Sequence, residues 1–359
     1  MRTKKIISSL LLCAVAWFLV ACAANDQSGE EQVIIGVAMP SKAIERWDKD
    51  GSYMEEFLVE KGYEVDLQYA QDDVPTQVSQ IENMITKGVS ALVIAAIDGE
   101  ALTDVIEKAT NEEIPVLAYD RLIMNADGID YYATFDNFKV GELQGQYLVD
   151  ALELDAKDDP QAIELFGGAP DDNNSHFFFD GAFSVLEPYI TEGKLVIRSQ
   201  QQEFSQIATL NWDGAAAQAR MDNLLSAHYA DDDIHGVLAP NDALATGIIS
   251  SLKGVGYGSG NRSMPIITGQ DAEVASVKSI IDGEQAMTVF KNTQTLADLA
   301  STMIDNLLNE EEVEINDLET YHNNLKIVPT YMLEPVVVTV DNYQELLIDS
   351  DYISQSDLD

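Results

Sequence analysis

Four apolar runs in this chain end in side chains able to fork hydrogen bonds. Ile114 to Tyr119 stops at Asp120 and Arg121, and Val33 to Met39 leads to Arg46 and Trp47. Gly236 to Ala239 leads to Asn241 and Asp242, and Pro265 to Thr268 leads to Gln270 and Asp271. A carboxylate accepts through two oxygens, a guanidinium donates from a planar fork, and a primary amide does both. Brought to one point, such groups would read a single small polar ligand from several loops. Catalysis has less to stand on. His176, His228, His235 and His322 are scattered without ligand spacing, and neither a nucleophile elbow nor a phosphate loop is present.

Strands must deliver these residues. Val33 to Met39 reads as a buried strand, and Tyr53, Met54, Phe57 and Leu58 follow at helical spacing. Glu64 to Tyr69 is a second strand. Gln77 to Lys87 carries Val78, Ile81, Met84 and Ile85 on one helical face, and Gly88 ends it as a C-cap glycine would. Ala91 to Ala96, a helix from Ala101 to Asn111 and the strand Pro115 to Tyr119 continue the alternation, and Tyr131 to Thr134 closes a first lobe. It restarts after Asp136-Asn137, with helices over 140–151, 179–189, 213–227 and 243–253 set between strands over 161–166, 194–199, 236–239 and 265–268. Unbroken alternation argues an α/β chain whose parallel sheets are covered by helices, with ligands at the carboxyl ends of the strands. Gln285 to Phe290 reads as a strand, Thr295 to Leu308 as a helix, and Lys326 to Tyr331 and Pro335 to Val340 as extended. Such a terminal segment can cross back between two lobes and form a hinge.

Composition narrows the partners. With 20 basic and 62 acidic residues among 359, the formal charge is −42, and such a surface repels phosphate backbones and anionic headgroups. That argues against nucleic acid as a partner; the acidity suits either a salty habitat, where a carboxylated surface stays soluble, or selection for solubility in general. Arg2, Lys4 and Lys5 followed by the apolar stretch Ile6 to Val20 form an export signal, too short for a membrane span. The signal ends in Leu19-Val20-Ala21-Cys22, which resembles the lipobox of bacterial lipoproteins, whose cysteine is acylated; the alternative is an ordinary signal peptide cut near Ala23 or Ala24. The only cysteines are Cys13 and Cys22, so the folded part has neither a disulfide nor a thiol for chemistry. Ala23 to Gln32 suits a flexible tether.

Seven further stretches carry a resemblance over nearly the whole mature chain, in order: Glu45-Arg46-Trp47, Gln80 to Ile85, Ala118 to Arg121, Phe135-Asp136-Asn137, Gly167 to Asn174, Asn241-Asp242-Ala243 and Gly269 to Ala272. By these the chain resembles the periplasmic monosaccharide-binding proteins of the ribose-, galactose- and xylose-binding family, with particular likeness to the xylose-binding and multiple-monosaccharide-binding members that serve ABC importers. The resemblance implies a type I periplasmic binding protein: two Rossmann-like lobes joined by a three-segment hinge and closing over one sugar. On that plan residues 1–21 are the signal peptide and 22–32 the lipid-anchored tether. The N-terminal lobe takes 33–137 with 291–327, and the C-terminal lobe takes 138–290 with 328–359. The family's sugar ligands fall on Arg46, Trp47, Asp120, Arg121, Asn174, Asn241, Asp271 and Lys291, and Trp212 matches an aromatic that stacks on the sugar in galactose-binding relatives. Where ribose and galactose binders place an arginine beyond the proline loop, this chain has Phe177-Phe178-Phe179, and Phe178 takes that position. The resemblance further implies no cofactor and no metal, a monomer held at a bacterial membrane only through its lipid on Cys22, and partners in an ABC permease with its ATPase. A sensory role, with the closed form docking on a chemoreceptor or a histidine kinase, is the alternative.

The chemistry of a pyranose fits these residues. Its rim of hydroxyls donates and accepts, and its C–H faces pack on aromatic rings. Charges facing a neutral sugar need partners among themselves, for instance Asp120 with Arg121 or with Arg46, since an unpaired buried charge is costly. Blander readings exist for single motifs. Arg46-Trp47 alone could be a surface arginine beside a half-buried ring, Asp120-Arg121 a structural ion pair, and Lys291 a surface lysine. Asp48-Lys49-Asp50-Gly51 places its glycine too early for a calcium loop and reads as a loop opening a helix. Asn173-Asn174-Ser175 matches a glycosylation sequon of little meaning in a bacterial lipoprotein. Asp171-Asp172, adjacent on a loop, cannot flank a glycosidic bond as hydrolysis requires, which leaves a sugar-acting enzyme as the weaker reading.

Overall fold

The computed structural model describes residues 32–157, 159–260 and 262–358. The expected leader, Cys22 and all but the last residue of the tether lie outside them. The chain begins β1 (Ile34–Met39), α1 (Glu45–Glu60), β2 (Glu64–Tyr69), α2 (Val74–Lys87), β3 (Ala91–Ile94), α3 (Thr103–Asn111), β4 (Val116–Tyr119) and β5 (Tyr131–Phe135). It continues α4 (Asn137–Ala151), β6 (Gln161–Leu165), α5 (Asn173–Thr191), β7 (Leu195–Ile197), α6 (Gly214–His228), β8 (Gly236–Leu238), α7 (Asp242–Gly254), β9 (Ile266–Ile267), α8 (Val274–Ile281) and β10 (Thr288–Phe290). It ends with α9 (Thr293–Leu308), β11 (Thr330–Leu333), β12 (Val336–Val338) and two short helical turns.

Two parallel sheets result, ordered β11-β5-β4-β3-β1-β2 and β7-β6-β8-β9. Alternation along each strand fills both faces. From β1, Ile35, Val37 and Met39 pack with Trp47, Met54 and Leu58 of α1 and with Leu296, Ala300 and Ile304 of α9. Ala38, pointing the other way, joins Leu92, Ile94 and Val116 over Ile81 and Met84 of α2 and Val105 and Ile106 of α3. In the second sheet Ala162 and Val237 face one cluster, Ile163, Leu165 and Leu238 the other. The expected two-lobed α/β architecture is therefore present, with strand carboxyl ends of both sheets bordering the same cleft residues.

Local signals explain where the helices start. Asp73, Asp136, Asp172, Asp213, Asn241 and Asn292 each accept a first-turn backbone N–H at an N-cap, and Gly88 (φ 77°) closes α2. The elements differ from expectation in several places, among them the unexpected helix α8, and three of the differences bear on the site and the lobes. Helix α1 begins at Glu45, so Asp48 to Gly51 lie inside it rather than in an opening loop, and Asp50 is fully buried. Helix α5 begins at Asn173, which puts Phe177 to Phe179 in its second turn, on three different sides. Phe177 packs on Tyr321 of the first lobe, Phe178 on Trp212, and Phe179 on Phe183 and Phe204.

The third correction concerns the lobe boundary. A return to the second lobe at 328 does not occur, because Thr330 to Leu333 pair in parallel with Tyr132 to Phe135 and add β11 to the first sheet. Only then does the chain leave, and Val336 to Val338 pair antiparallel with Thr288 to Phe290. Three segments thus pass between the lobes, after Phe135, after Phe290 and after Leu333.

Candidate ligand-binding site

At the ends of β1, β4, β6, β8, β9 and β10, between the lobes, a cavity is lined by Ile44, Arg46, Trp47, Asp120, Arg121, Asp172, Asn174, Phe178, Trp212, Asn241, Gln270, Asp271 and Lys291. All ten residues expected from the sequence are in that lining. Three were not expected there: Ile44, Asp172 and Gln270. Arg46, Arg121 and Lys291 face Asp120, Asp172 and Asp271, and none of the six is more than 9% exposed.

The ion pairs are specific. Arg46 donates from Nη2 to Asp120 at 2.8 Å, from Nη1 to Asp271 at 3.4 Å and from Nε to Asp50 at 3.0 Å. Lys291 Nζ lies 3.3 Å from Asp271 and 3.8 Å from Asp120. Arg121 does not pair with its neighbour Asp120. Its Nε meets Asp172 of the other lobe at 3.0 Å, and its Nη1 donates to the carbonyls of Ala96 and Ile97. Successive residues after a strand diverge in direction, which separates the two. Burial alone would push the Asp120 carboxyl up, but Arg46, Lys291 and Arg121 outweigh it and hold it below the usual range. Burial alone would also lower Arg46; Asp120, Asp50 and Asp271 raise it well above its ordinary value, so it stays charged.

Backbone geometry aims these groups. Asp120 (φ 58°), Trp212 (φ 54°) and Asp271 (φ 98°) all sit in the left-handed region that non-glycine residues avoid, at a cost of roughly 1–3 kcal/mol each. Hydrogen bonds hold them there: Asp120 N–H donates to Ala133 O at 2.8 Å, and Asp271 N–H to Val289 O at 2.9 Å. The Asp120 carbonyl accepts from Tyr132 Oη, Thr134 Oγ1 and, across the lobes, Asn174 Nδ2 at 2.7 Å.

Aromatic rings complete the walls. The Arg46 and Arg121 guanidiniums lie 4.3 and 5.1 Å from the Trp47 ring centroid, fixing that ring between two cations. Opposite, Phe178 and Trp212 meet edge to face at 6.2 Å. Trp212 fits because residue 168 is glycine: a Cβ there would come within 2.1 Å of the indole. Its Nε1 donates to Asp172 Oδ2 at 3.2 Å, while Asp172 Oδ1 caps α5 at Asn174 N. Asn174 and Phe178, one turn apart on α5, share the face that looks into the cavity. Asn241 uses Oδ1 to cap α7 through Leu244 N at 3.0 Å, leaving its amide NH₂ for the cavity.

Asp172, Gln270 and Asp50 are absent from the sugar ligands expected from the sequence, although Gln270 stands with Asp271 at one of the four strand ends. Asp171-Asp172 is unsuited as a catalytic pair, yet an acid two residues before Asn174 at a helix start is a capping signal. Gln270 donates to Pro240 O at 3.2 Å, and its buried Oε1 has no hydrogen-bond partner among the described residues. Asp50 stands one helical turn after Arg46, a spacing visible once a helix is drawn through both. Among the described residues no cluster of His, Cys, Asp or Glu could hold a metal ion.

Comparison with known proteins agrees with this geometry. The chain is 52% identical over 357 residues to the multiple sugar-binding periplasmic receptor ChvE of Rhizobium radiobacter, covering 99% of each chain. It is 38% identical over 355 residues to the D-xylose-binding periplasmic protein of Escherichia coli, covering 99% of this chain and 100% of that one. An ABC transporter solute binding protein from Clostridium phytofermentans, solved with bound β-D-glucose, superposes with a TM-score of 0.88 at 47% identity over 91% of this chain and 100% of that one. The periplasmic binding protein domain model matches residues 35–312. With two parallel α/β sheets, three crossing segments and a polar cavity between lobes, the chain belongs to the periplasmic binding protein family.

Proposed function

We propose that this protein captures a free monosaccharide outside the cytoplasmic membrane and delivers it, lobes closed, to an ABC sugar importer. The observation that carries the reading is the cavity: three buried cations interleaved with three buried carboxylates, three amides, and aromatic walls contributed by both lobes. Each cation and carboxylate can exchange part of its pairing for a sugar hydroxyl without being left alone, which is what a neutral, many-hydroxyl ligand requires. Relatives whose names specify multiple sugars and D-xylose, and a structure holding β-D-glucose, support an aldose of the xylose, glucose, galactose or arabinose type.

The sugar bridges the lobes, shifts the population from open to closed, and so forms the surface that a permease recognises. Acylation of Cys22 would hold this acidic domain at a membrane it would otherwise avoid. A sensory role, in which the closed form docks on a chemoreceptor or sensor kinase, is the second reading, favoured by the name of the Rhizobium radiobacter relative, which calls it a receptor.

Isothermal titration of the purified protein, stripped of co-purified sugar, against xylose, glucose, galactose, arabinose and ribose tests the reading. Micromolar or tighter binding to at least one is the expected result. Absence of heat with all five, from folded protein, would remove it.

A further inference from the structure

Asp50 is buried completely but does not line the cavity. It stands one turn after Arg46 on α1, behind the guanidinium. One carboxylate oxygen accepts from Arg46 Nε at 3.0 Å, the other from the hydroxyl of Tyr119 on β4. Arg46 is thereby gripped on its inner edge, and its two outer nitrogens are turned to Asp120 at 2.8 Å and Asp271 at 3.4 Å, the carboxylates of opposite lobes. We propose that Asp50 is a positioning residue for the sugar, acting through Arg46 and never touching the ligand. The proposal rests on the cavity being a sugar site and adds a control over it.

The groups that face Asp50 are few. Arg46 and Tyr53 come from its own helix, Tyr119 and Asp120 from β4, Tyr69 from β2, and Tyr352 from the C-terminal segment. Arg46 is the one cation among them. Burial raises the Asp50 carboxyl more than Arg46 and the Tyr119 hydrogen bond lower it, and it comes to about 6. Tyr119 is itself pushed well above its ordinary value by burial and by Asp50, so its hydroxyl remains a donor. On acidification below 6 Asp50 becomes neutral, its hold on Arg46 Nε weakens, and the guanidinium is free to turn away from the sugar.

The test is the ratio of dissociation constants, Asp50→Asn over wild type, for the purified full chain and whichever of the five aldoses binds best, at pH 8 and pH 5. At pH 8 the variant should bind about tenfold more weakly, the size of one lost charge-assisted hydrogen bond. At pH 5, where the wild-type carboxyl is also neutral, the two should agree within about twofold. Asp242, buried, and Glu273, half-buried, are two other acids near the site; both are present in both proteins and cancel in the ratio. A ratio that is the same at both pH values would assign Asp50 a packing role and overturn the proposal, whereas wild type that binds none of the aldoses would overturn the reading of the cavity itself. Should Asp50→Asn fail to fold, Tyr119→Phe removes the hydrogen bond that lowers Asp50. The fall in affinity on acidification should then begin at a higher pH, and an unshifted profile would overturn the proposal.

Discussion

Arg121 ties the two lobes together through one buried bond, its Nε to Asp172 at 3.0 Å. Asp172 also receives the Trp212 indole N–H, so the arginine indirectly sets the aromatic wall. Replacing Arg121 by alanine leaves a buried carboxylate unpaired in the closed form only, since opening the lobes returns Asp172 to water. Arg121→Ala should therefore weaken sugar binding about 100-fold, on the order of 3 kcal/mol, with little change in the circular dichroism of the unliganded protein. Unchanged titration in both Arg121→Ala and Asp271→Ala would remove the site assignment. Gln270 invites a different outcome. Its Oε1 is a buried acceptor without a hydrogen-bond partner among the described residues, so Gln270→Leu should alter the ranking among aldoses more than the best affinity. An epimer whose hydroxyl points there would lose about tenfold, and the others little, in a titration series. If all five sugars weaken equally, Gln270 does not read the ligand.

At the scale of elements, α4 and α5 carry the hinge side of the second lobe and set Asn174 and Phe178. They approach so closely that a Cβ on Gly141 would stand 2.0 Å from the carbonyl oxygen of Phe178, a backbone atom with no rotamer to yield. Gly141→Ala should destabilise the protein by roughly 1–3 kcal/mol in a urea titration, and sugar affinity should fall with it because Phe178 moves. Stability and affinity both at wild-type levels would show that the helices separate freely. That packing was not legible in the sequence: Gly141 and Gly145 look like ordinary breaks in helical propensity until the neighbouring helix is in place. The strands and the polar residues after them were legible, because apolar runs cut off by Asp120-Arg121 or Asn241-Asp242 mark both a core strand and its exit. What escaped were contacts between distant segments. The pairing of Arg121 with Asp172 rather than Asp120 depends on the lobes meeting, and the addition of β11 to the first sheet depends on which edge is free at β5. Asp50 escaped for a local reason, since an acid-lysine-acid-glycine run resembles a loop, and its burial is matched by partners in Arg46 and Tyr119 that the run itself does not show.

The whole molecule combines a heavily acidic surface with buried and half-buried acids that resist ionisation. Burial raises Glu273 from 4.5 to about 7 with help from Asp271 and Glu45, and Asp50 from 3.8 to about 6 against the pull of Arg46. Burial, with Glu273 and Asp271 adding to it, raises Asp242 well above its ordinary value. For an acid whose folded value exceeds its unfolded one, the folded state binds more protons between the two values, so stability falls as pH rises through that interval. Asp120 runs the other way: its lowered value contributes stability that disappears only as pH drops below the ordinary carboxylate range. Between pH 5 and pH 8 the raised acids dominate, and the surface acts in the same sense, since the formal charge of −42 at pH 7 diminishes on acidification. The protein should therefore melt at a higher temperature at pH 5.5 than at pH 8. Glu273→Gln should remove part of that slope, on the order of 2 kcal/mol, by replacing a group that must give up its proton with one that has none. Added salt separates the two contributions. Exposed carboxylates are screened within about 10 Å at 0.1 M, whereas the buried acids are not, so salt should raise the melting temperature at pH 8 yet leave a residual dependence on pH. A melting temperature independent of pH in 1 M salt would place the whole effect on the surface and leave Glu273, Asp242 and Asp50 without a part in it.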